Sequence, residues 1–361
     1  MAPILMELRR RASEFGTMVV VTAQHRDMLD QVLDIFDIEP DVDLNLMTAG
    51  QTLGNLTARL LTHLEDFWLR DRPDIILVQG DTTSSFVAGL VAYYLKVTLG
   101  HVEAGLRTQD KFAPFPEEMN RRLVDAMADY HFAPTDESRK NLLSERVPSD
   151  RIYVTGNTGI DALLLTLERN RQTGFAPKGL DPAIFQREKL ILVTAHRRES
   201  FGERLLDICA ALKEIARSCP DAAIVYPVHR NPNVRGPVLS LLEGLANIHL
   251  VDPLDYQTFV YMMARADVIL TDSGGIQEEA PSLGVPVLIM RDATERVEAV
   301  QAGVAELVGT STERIVQRTL GLIRHPKPLR TGANPFGDGR AAERIVQALA
   351  AAPVHSQVAT S

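Results

Sequence analysis

Residues 190–202 read LILVTAHRRESFG, a continuous apolar run that ends in a histidine and two arginines. Such a run of aliphatic residues is typical of a parallel strand that is buried on both faces. The polar residues that follow the run would lie at the carboxyl end of that strand. Open parallel sheets bind ligands at this edge, so the stretch indicates both a fold class and the position of a site.

Similar runs occur along the whole chain, and stretches of helical period separate them. We predict strands at 18–22, 75–78, 98–103, 130–132, 152–155, 190–194, 223–227, 248–251, 268–271 and 287–290. We predict helices between them, among others at 53–69, 83–95, 117–128 and 203–218. The alternation of strands and helices predicts the α/β class, with doubly wound parallel sheets and right-handed crossovers.

Residues 169–189 interrupt this alternation, because they contain two glycines, two prolines and no clear strand. The length of 361 residues is sufficient for about two domains of ordinary size. We therefore expect two Rossmann-like domains, 1–168 and 169–338, that face a central cleft. Residues 339–361 are expected to form a C-terminal helix that packs back on the first domain, followed by a disordered tail.

The composition excludes several classes of protein. With 45% hydrophobic, 24% charged and 6% aromatic residues, the chain resembles an ordinary globular protein rather than a disordered or fibrous one. The formal net charge of −9 argues against a nucleic-acid partner. Cys209 and Cys219 lack the spacing of a metal site or a disulfide framework, and no apolar run has the length of a membrane span. We expect a cytoplasmic protein without a metal.

Three carboxylates follow predicted strands in the first half of the chain. Asp81 comes shortly after the strand at 75–78, Glu103 ends the run at 98–103, and Glu117 follows a Pro-Phe-Pro segment. A group of carboxylates at one rim can divide general-acid and general-base roles. Taken alone, Asp81 can be a helix N-cap, and acidic residues such as Glu117 are common in a first helical turn. Glu103 has no such explanation, because an ionised carboxylate at the end of a buried strand needs partners.

The second half supplies positive charge at the corresponding strand ends. The candidates are His196 and Arg197 after 190–194, His229 after 223–227, the Ser273-Gly274-Gly275 turn after 268–271, and Arg296. Backbone N–H groups of such a turn, with cations beside it, favour a phosphate. The alternative is that the turn only caps a helix. Glu278 or Glu279 could hydrogen-bond a ribose. The chain has no GxGxxG or P-loop motif, which disfavours NAD and P-loop nucleotides.

Several long and unusual segments carry a family resemblance. They are TAQHRDMLDQVL, QGDTTSS, GHVEAGLRT, PFPEEMNRRL, VTGNTGIDAL, TAHRRESFG, YPVHRNPNV, TDSGGIQEEAPSLGVPVLIMRDATERVEA and NPFGDGRAAERIV. In this order, over nearly the whole chain, they resemble the non-hydrolysing UDP-N-acetylglucosamine 2-epimerases. That family has the two-domain fold of the GT-B glycosyltransferases, so the resemblance implies this architecture.

The resemblance implies reversible conversion of UDP-N-acetylglucosamine (UDP-GlcNAc) to UDP-N-acetylmannosamine (UDP-ManNAc), which would feed cell-surface polysaccharide synthesis. UDP would leave by elimination across C1–C2 and return to a 2-acetamidoglucal, and no redox cofactor is required. The positions that match the acid/base carboxylates of the family are Asp81, Glu103 and Glu117, and His196 matches the histidine near the departing phosphate. The positions that match its UDP contacts are Ser273, Gly274, Glu279 and Arg296.

The resemblance also implies a second ligand site and a homodimer. Bacterial members bind another UDP-GlcNAc as an activator, and the matching positions are Gln24, Asp27, Gly50, Glu117, Arg197 and His229. Asp27 replaces a glutamine and Gly50 replaces an arginine. The loss of an arginine removes a charge-assisted hydrogen bond of about 1.5–3 kcal/mol. We therefore expect that activation is lost or uses other contacts.

The start of the chain departs from the family pattern. The family opens with a strand and a Gly-Thr-Arg-Pro-Glu-Ala loop, and no counterpart precedes Met1. The resemblance therefore predicts low stability and low turnover for the sequence as written. Three other functions stay open: a glycosyltransferase on the same fold, a relative that hydrolyses UDP-GlcNAc, and a UDP-sugar sensor without catalysis.

Overall fold

A computed structural model describes residues 1–22, 26–47, 50–325 and 334–351, and for residues 26–28 it describes the backbone alone. The strands, in chain order, are β1 (Val20–Val21), β2 (Val42–Asp43), β3 (Ile75–Gln79), β4 (Thr98–Val102), β5 (Tyr130–Ala133), β6 (Ile152–Val154), β7 (Lys189–Thr194), β8 (Ala222–Pro227), β9 (Ile248–Val251), β10 (Val268–Thr271), β11 (Val287–Ile289) and β12 (Ala305–Leu307).

Helices separate these strands. They are α1 (Ala2–Arg10), α2 (Arg26–Ile35), α3 (Leu53–Arg70), α4 (Thr83–Tyr94), α5 (Glu117–Met127), α6 (Asp136–Ser144), α7 (Thr158–Thr173), α8 (Ala183–Gln186), α9 (Glu203–Ser218), α10 (Pro232–Leu242), α11 (Tyr256–Arg265), α12 (Gly274–Glu279), α13 (Val297–Gln301), α14 (Thr312–Arg324) and α15 (Ala341–Ala351). Within the described residues, no helix has both the length and the apolar character needed to cross a bilayer.

The chain divides into two compact units. The first contains Met1–Ala162 and the residues from Gly339 onwards, and the second contains Leu163–Asp338. The first unit has a four-stranded sheet of order β3-β4-β5-β6 and a separate β1-β2 pair, and the second has a six-stranded sheet of order β12-β11-β10-β7-β8-β9. Every pairing in these sheets is parallel, which confirms the predicted α/β class.

In the sheet of the second unit, the chain builds strands outward on both sides of a central pair, β7 and β10. Strand β7 pairs with β8 on one side and with β10 on the other, so the order of the strands reverses between β7 and β10. The core beneath this sheet packs fully buried side chains of α9, such as Ile208 and Leu212, against β7 and β8. A reversal of this kind leaves a crevice at the carboxyl ends of the two strands, where α/β proteins bind ligands.

In the first unit, the C-terminal helix α15 packs against α1. Ile4 of α1 and Ile345 and Val346 of α15 are buried in one cluster with Val102 and Phe132 of the sheet. The carboxylate of Asp161 accepts hydrogen bonds from the backbone N–H groups of Ala341 and Ala342, at 3.2 and 2.8 Å. A carboxylate at this position satisfies N–H groups that the first turn of a helix leaves unpaired, and it fixes the start of α15.

Some strand boundaries differ from the sequence predictions. The predicted strand at 98–103 ends at Val102, because Glu103 has a left-handed backbone conformation with φ of 68° that a strand does not accommodate. The predicted strand at 18–22 is reduced to Val20–Val21. Strands β2 and β12 were not predicted, since two or three residues are too few to show a period.

Candidate active site

The first two predicted carboxylates lie at the ends of neighbouring strands. Strands β3 and β4 are paired from Ile75 with Thr98 to Gln79 with Val102, so the segments that follow them emerge side by side. The backbone N–H of Gly80 donates to Val102 O at 3.0 Å. A Cβ atom at Gly80 would lie 3.4 Å from Glu103 Oε2. The Glu103 carboxylate therefore lies directly against the segment that carries Asp81.

Helix α5 holds the Asp81 segment. Arg121 donates from Nε to Asp81 Oδ2 at 2.9 Å, and Asn120 donates from Nδ2 to Asp81 O at 2.8 Å. Glu117 is the first residue of this helix and lies one turn before Arg121. These contacts bring Glu117 to the same edge of the sheet as Asp81. The alternative role of Asp81 as the N-cap of α4 is wrong, because the oxygen that accepts from the first turn of this helix is Thr82 Oγ1.

A buried glutamate anchors the loop before α5. Glu118 is fully buried and accepts a hydrogen bond from the backbone N–H of Thr108 at 3.0 Å. Its carboxylate also pairs with Arg122 at 3.2 Å and with Arg121 at 3.4 Å. Two arginines and a backbone N–H compensate the cost of burying this charge. Of the adjacent Glu117 and Glu118, only the half-exposed Glu117 faces solvent and is available to a ligand.

In the second unit, Asp272 ties together the loops at the strand reversal. It follows β10, is fully buried, and accepts from the backbone N–H groups of His196 and Arg197 with Oδ2, at 2.8 Å each. Both of these residues follow β7. The Asp272 carboxylate therefore fixes the backbone that presents the His196 and Arg197 side chains at the edge where a ligand is expected.

The His196 imidazole lies between a carboxylate and a second imidazole. Its Nδ1 is 3.7 Å from Asp272 Oδ1, and its ring stacks on that of His229 with centroids 5.5 Å apart. Burial lowers the pKa of His196; the Asp272 charge opposes this, whereas the charges of His229 and Arg197 lower the pKa further. The net direction is below the ordinary value, so His196 is mostly neutral at neutral pH.

Two arginines flank the glycine turn after β10. A Cβ atom at Gly274 would lie 3.4 Å from Arg197 Nη2 and 3.4 Å from Arg296 Cζ. The lack of a side chain at Gly274 thus leaves room between two guanidinium groups. Helix α12, which begins at Gly274, has six residues, and within the described chain Ser273 Oγ caps none of its N–H groups. Both guanidinium groups are also ion-paired beside the turn, Arg197 with Glu295 at 3.5 Å and Arg296 with Glu278 at 2.7 Å, so the turn offers hydrogen-bond donors whose charge is largely compensated.

The structure distinguishes the two adjacent glutamates of α12. Glu278 is buried and accepts from Arg296 Nε at 2.7 Å. Burial, together with the Glu278 charge, raises the pKa of Glu279 to about 8. Glu279 is therefore largely protonated at neutral pH, and a protonated carboxyl can both donate and accept hydrogen bonds.

The predicted site residues fall into two groups, one in each unit. Asp81, Glu103 and Glu117 share one edge of the first unit. The residues at the edge of the second unit are His196, Arg197, His229, Ser273, Gly274, Gly275, Glu279 and Arg296. Gln24 lies outside the described residues, the side chain of Asp27 is likewise not described, and Gly50 is exposed. No cluster of three or more His, Cys, Asp or Glu in the described residues is arranged to hold a metal.

Sequence reasoning did not identify the residues that hold these groups in place. Asn120, Arg121 and Asp272 make the contacts described above, and none of them was predicted as a site residue. The position of Asp272 directly after a buried strand was a usable sign. An acidic residue beside a predicted phosphate site needs specific partners, and here they are backbone N–H groups.

Known proteins of one family are similar to this chain over most of its length. The family model for UDP-N-acetylglucosamine 2-epimerase matches residues 7–350. The UDP-N-acetylglucosamine 2-epimerase of Escherichia coli strain K12 is 50% identical over 355 residues, which cover 97% of this chain and 94% of that protein.

Solved structures show the same similarity. A Neisseria meningitidis UDP-GlcNAc 2-epimerase bound to UDP-GlcNAc is 46% identical, with a TM-score of 0.86 and coverage of 98% of this chain and 96% of that one. A Methanocaldococcus jannaschii UDP-GlcNAc 2-epimerase in complex with UDP-GlcNAc and UDP is 33% identical, with a TM-score of 0.79 and coverage of 97% and 96%. Because this similarity extends over nearly its whole length, the chain belongs to the UDP-N-acetylglucosamine 2-epimerase family.

Proposed function

We propose that this protein interconverts UDP-GlcNAc and UDP-ManNAc by inversion at C2 of the sugar, and so supplies N-acetylmannosamine for cell-surface polysaccharide. The observation that carries the proposal is the glycine turn at the strand reversal of the second unit, where the guanidinium groups of Arg197 and Arg296 flank Gly274. Relatives of this chain have been solved with UDP-GlcNAc and with UDP. A diphosphate is the ligand that two guanidinium groups and a row of backbone N–H groups bind best.

The proposed reaction is an elimination followed by an addition. A base removes the C2 proton, the C1–O bond breaks, and UDP leaves with the electron pair to give a 2-acetamidoglucal. A proton then adds to the opposite face of C2, and the UDP oxygen attacks C1 to restore the UDP-sugar. The balance needs no oxidant or reductant, but it needs proton-transfer groups on two faces of the sugar.

The carboxylates of the first unit fit the proton transfers. Asp81, Glu103 and Glu117 lie at one edge, and each is half-buried, so a ligand can reach them. Arg121 fixes the direction of the Asp81 carboxylate. A glycosyltransferase would have no use for three such carboxylates, and this disfavours the transferase alternative.

The second unit would bind the UDP portion. Arg197, Arg296 and the turn Ser273–Gly275 are suited to the diphosphate, and His196 can pass a proton to the departing phosphate oxygen. The protonated Glu279 is suited to the ribose hydroxyls, since it can act as both donor and acceptor. A homodimer and a cytoplasmic location stay predictions, and so does the expectation that activation by a second UDP-GlcNAc is lost or uses other contacts.

Incubation with UDP-GlcNAc in D₂O tests the reaction. We expect proton NMR to show UDP-ManNAc, with deuterium at C2 of the new epimer, and no requirement for an acceptor. Free N-acetylmannosamine with UDP would instead indicate a hydrolase, and turnover that requires an added acceptor would indicate a transferase. Binding in calorimetry without any turnover would indicate the sensor.

The low pKa of His196 predicts proton uptake when UDP binds. The free imidazole is mostly neutral at neutral pH, and a nearby diphosphate stabilises the imidazolium, so its pKa rises on binding. We therefore expect UDP affinity to increase as the pH falls from about 8 to about 6. Calorimetry in buffers of different ionisation enthalpy measures the uptake. UDP itself also titrates in this range, so the His196→Gln variant is the control: equal uptake in both proteins would contradict the role of His196.

A further inference from the structure

Strand β4 carries a buried histidine that the proposed chemistry does not use. His101 is fully buried, and its Nδ1 lies 2.6 Å from Asp125 Oδ1. Its Nε2 lies 2.9 Å from Gly80 O. Gly80 directly precedes Asp81, and His101 lies two residues before Glu103. The imidazole therefore joins the two segments that present these carboxylates.

Both ring nitrogens of His101 face hydrogen-bond acceptors. A carbonyl oxygen cannot donate, so Nε2 must carry a proton, and an ionised Asp125 requires a proton on Nδ1 as well. Two hydrogen-bond donors stabilise the ionised form of Asp125, since its Oδ2 accepts from Gly105 N at 3.1 Å and from Arg107 Nη2 at 2.8 Å. The geometry thus requires a buried imidazolium.

The charged groups around His101 are consistent with this state. Asp125 on α5 is its direct partner, Arg107 bridges Asp125 to Glu145 directly after α6, and Glu103 lies close enough to contribute. Burial alone lowers the pKa of His101, but the Asp125 charge and hydrogen bonds raise it, and the net direction is upward. Burial raises the pKa of Asp125, whereas the charges of His101 and Arg107 lower it, to about 2.

The network connects to both catalytic segments. His101 holds the Gly80 carbonyl, and Asp125 holds the N–H of Gly105, two residues after Glu103. Gly80 and Glu103 both have left-handed backbone conformations, with φ of 68°. For Glu103 this conformation costs about 1 kcal/mol or more, so surrounding contacts must maintain it. Gly105 admits no side chain, because a Cβ atom would lie 2.3 Å from Ser138 O.

We infer that His101 is a positioning residue, which as an imidazolium paired with Asp125 holds the Gly80–Asp81 segment beside Glu103. The inference rests on the proposed function for its catalytic meaning. Loss of either ring proton would set a lone pair against the Gly80 carbonyl or against the Asp125 carboxylate. The Asp81 segment would then move, and a displacement of about 1 Å can cost about 10² in rate.

Nitrogen NMR of the full-length protein with labelled histidine tests the charge state without any assay of activity. We expect both ring nitrogens of His101 to carry protons at about pH 8, where an ordinary histidine with a pKa of about 6.5 is neutral. A neutral His101 ring under these conditions would overturn the inference. Turnover of UDP-GlcNAc by the unchanged protein tests the proposed function separately, so the two failures are distinguishable.

The positioning role is tested by His101→Gln beside a matched control, His131→Gln. His131 is equally buried on the adjacent strand β5. Its Nε2 lies 2.8 Å from the backbone carbonyl of Asp125 and its Nδ1 lies 3.3 Å from that of Arg151, so neither nitrogen contacts the Gly80 or Glu103 segment. We expect kcat to fall tenfold to about a hundredfold in His101→Gln, with KM and UDP affinity little changed, and no such fall in His131→Gln. The amide signals of Gly80 and Asp81 should shift only in His101→Gln. Full kcat in that variant, or equal effects in both variants, would refute the inference; if His101→Gln fails to fold, the nitrogen NMR of the unchanged protein still decides.

Discussion

Glu103→Gln is expected to lower kcat for epimerisation by about 10²- to 10⁴-fold, with UDP affinity unchanged. The amide has the size and shape of the carboxylate, so the left-handed backbone of Glu103 and its contact with the Gly80 segment are preserved. The substitution removes the ability to transfer a proton, together with a negative charge that helps to raise the pKa of His101. UDP affinity should not respond, because the proposed diphosphate contacts belong to the second unit. Initial rates from NMR of the two epimers, with calorimetry of UDP binding, measure both quantities.

Deuterium exchange shows which half of the reaction is lost. If Glu103 serves one face of C2, then in D₂O the Glu103→Gln variant should exchange the C2 proton of one epimer and not that of the other, while conversion between them stops. Glu137→Gln is the matched control, since Glu137 is an exposed glutamate of the first unit that pairs with Lys140. Full epimerase activity in Glu103→Gln, or an equal loss in the control, would remove Glu103 from the proton transfers.

The sequence was sufficient to predict the fold class, because buried parallel strands leave continuous apolar runs. The runs at 190–194 and 268–271 correspond to β7 and β10 in the structure. The order of strands within the sheet was not predictable in this way. That β7 lies beside β10, and not only beside β8, depends on which faces the crossovers cover, and apolar content does not record it.

The sequence also predicted which sheet edges carry the candidate residues, because residues that follow parallel strands meet at one edge. It did not predict the contacts that fix those residues. Asp125 and Asp81 are 44 residues apart in the sequence, yet His101 connects the Asp125 carboxylate to the carbonyl that precedes Asp81. Such contacts depend on register and rotamer, and a helical pattern cannot distinguish an exposed aspartate from a buried one that binds two cations. The left-handed backbone conformation of Glu103 could not be predicted either, because residues other than glycine rarely adopt it.

Asp272→Ala is expected to abolish UDP binding and to lower the free energy of unfolding of the second unit by about 2–4 kcal/mol. The carboxylate is fully buried and accepts two backbone N–H groups at 2.8 Å, and alanine leaves both without that acceptor. Since these N–H groups belong to His196 and Arg197, the loop that presents both side chains loses its attachment to β10. Calorimetry with UDP measures the loss of binding, and urea unfolding followed by far-UV circular dichroism measures the loss of stability.

Asp272→Asn separates the two functions of this carboxylate. The amide oxygen can still accept from both N–H groups, so we expect most of the stability to return. The negative charge near His196 Nδ1 is lost, however, and that charge raises the pKa of His196 against the effect of burial. The pKa of His196 should therefore fall further in Asp272→Asn, and UDP affinity should reach its maximum at a lower pH than in the unchanged protein. If Asp272 only supported the loop, the UDP affinity of Asp272→Asn would have the pH dependence of the unchanged protein. That result would contradict an effect of the Asp272 charge on the pKa of His196.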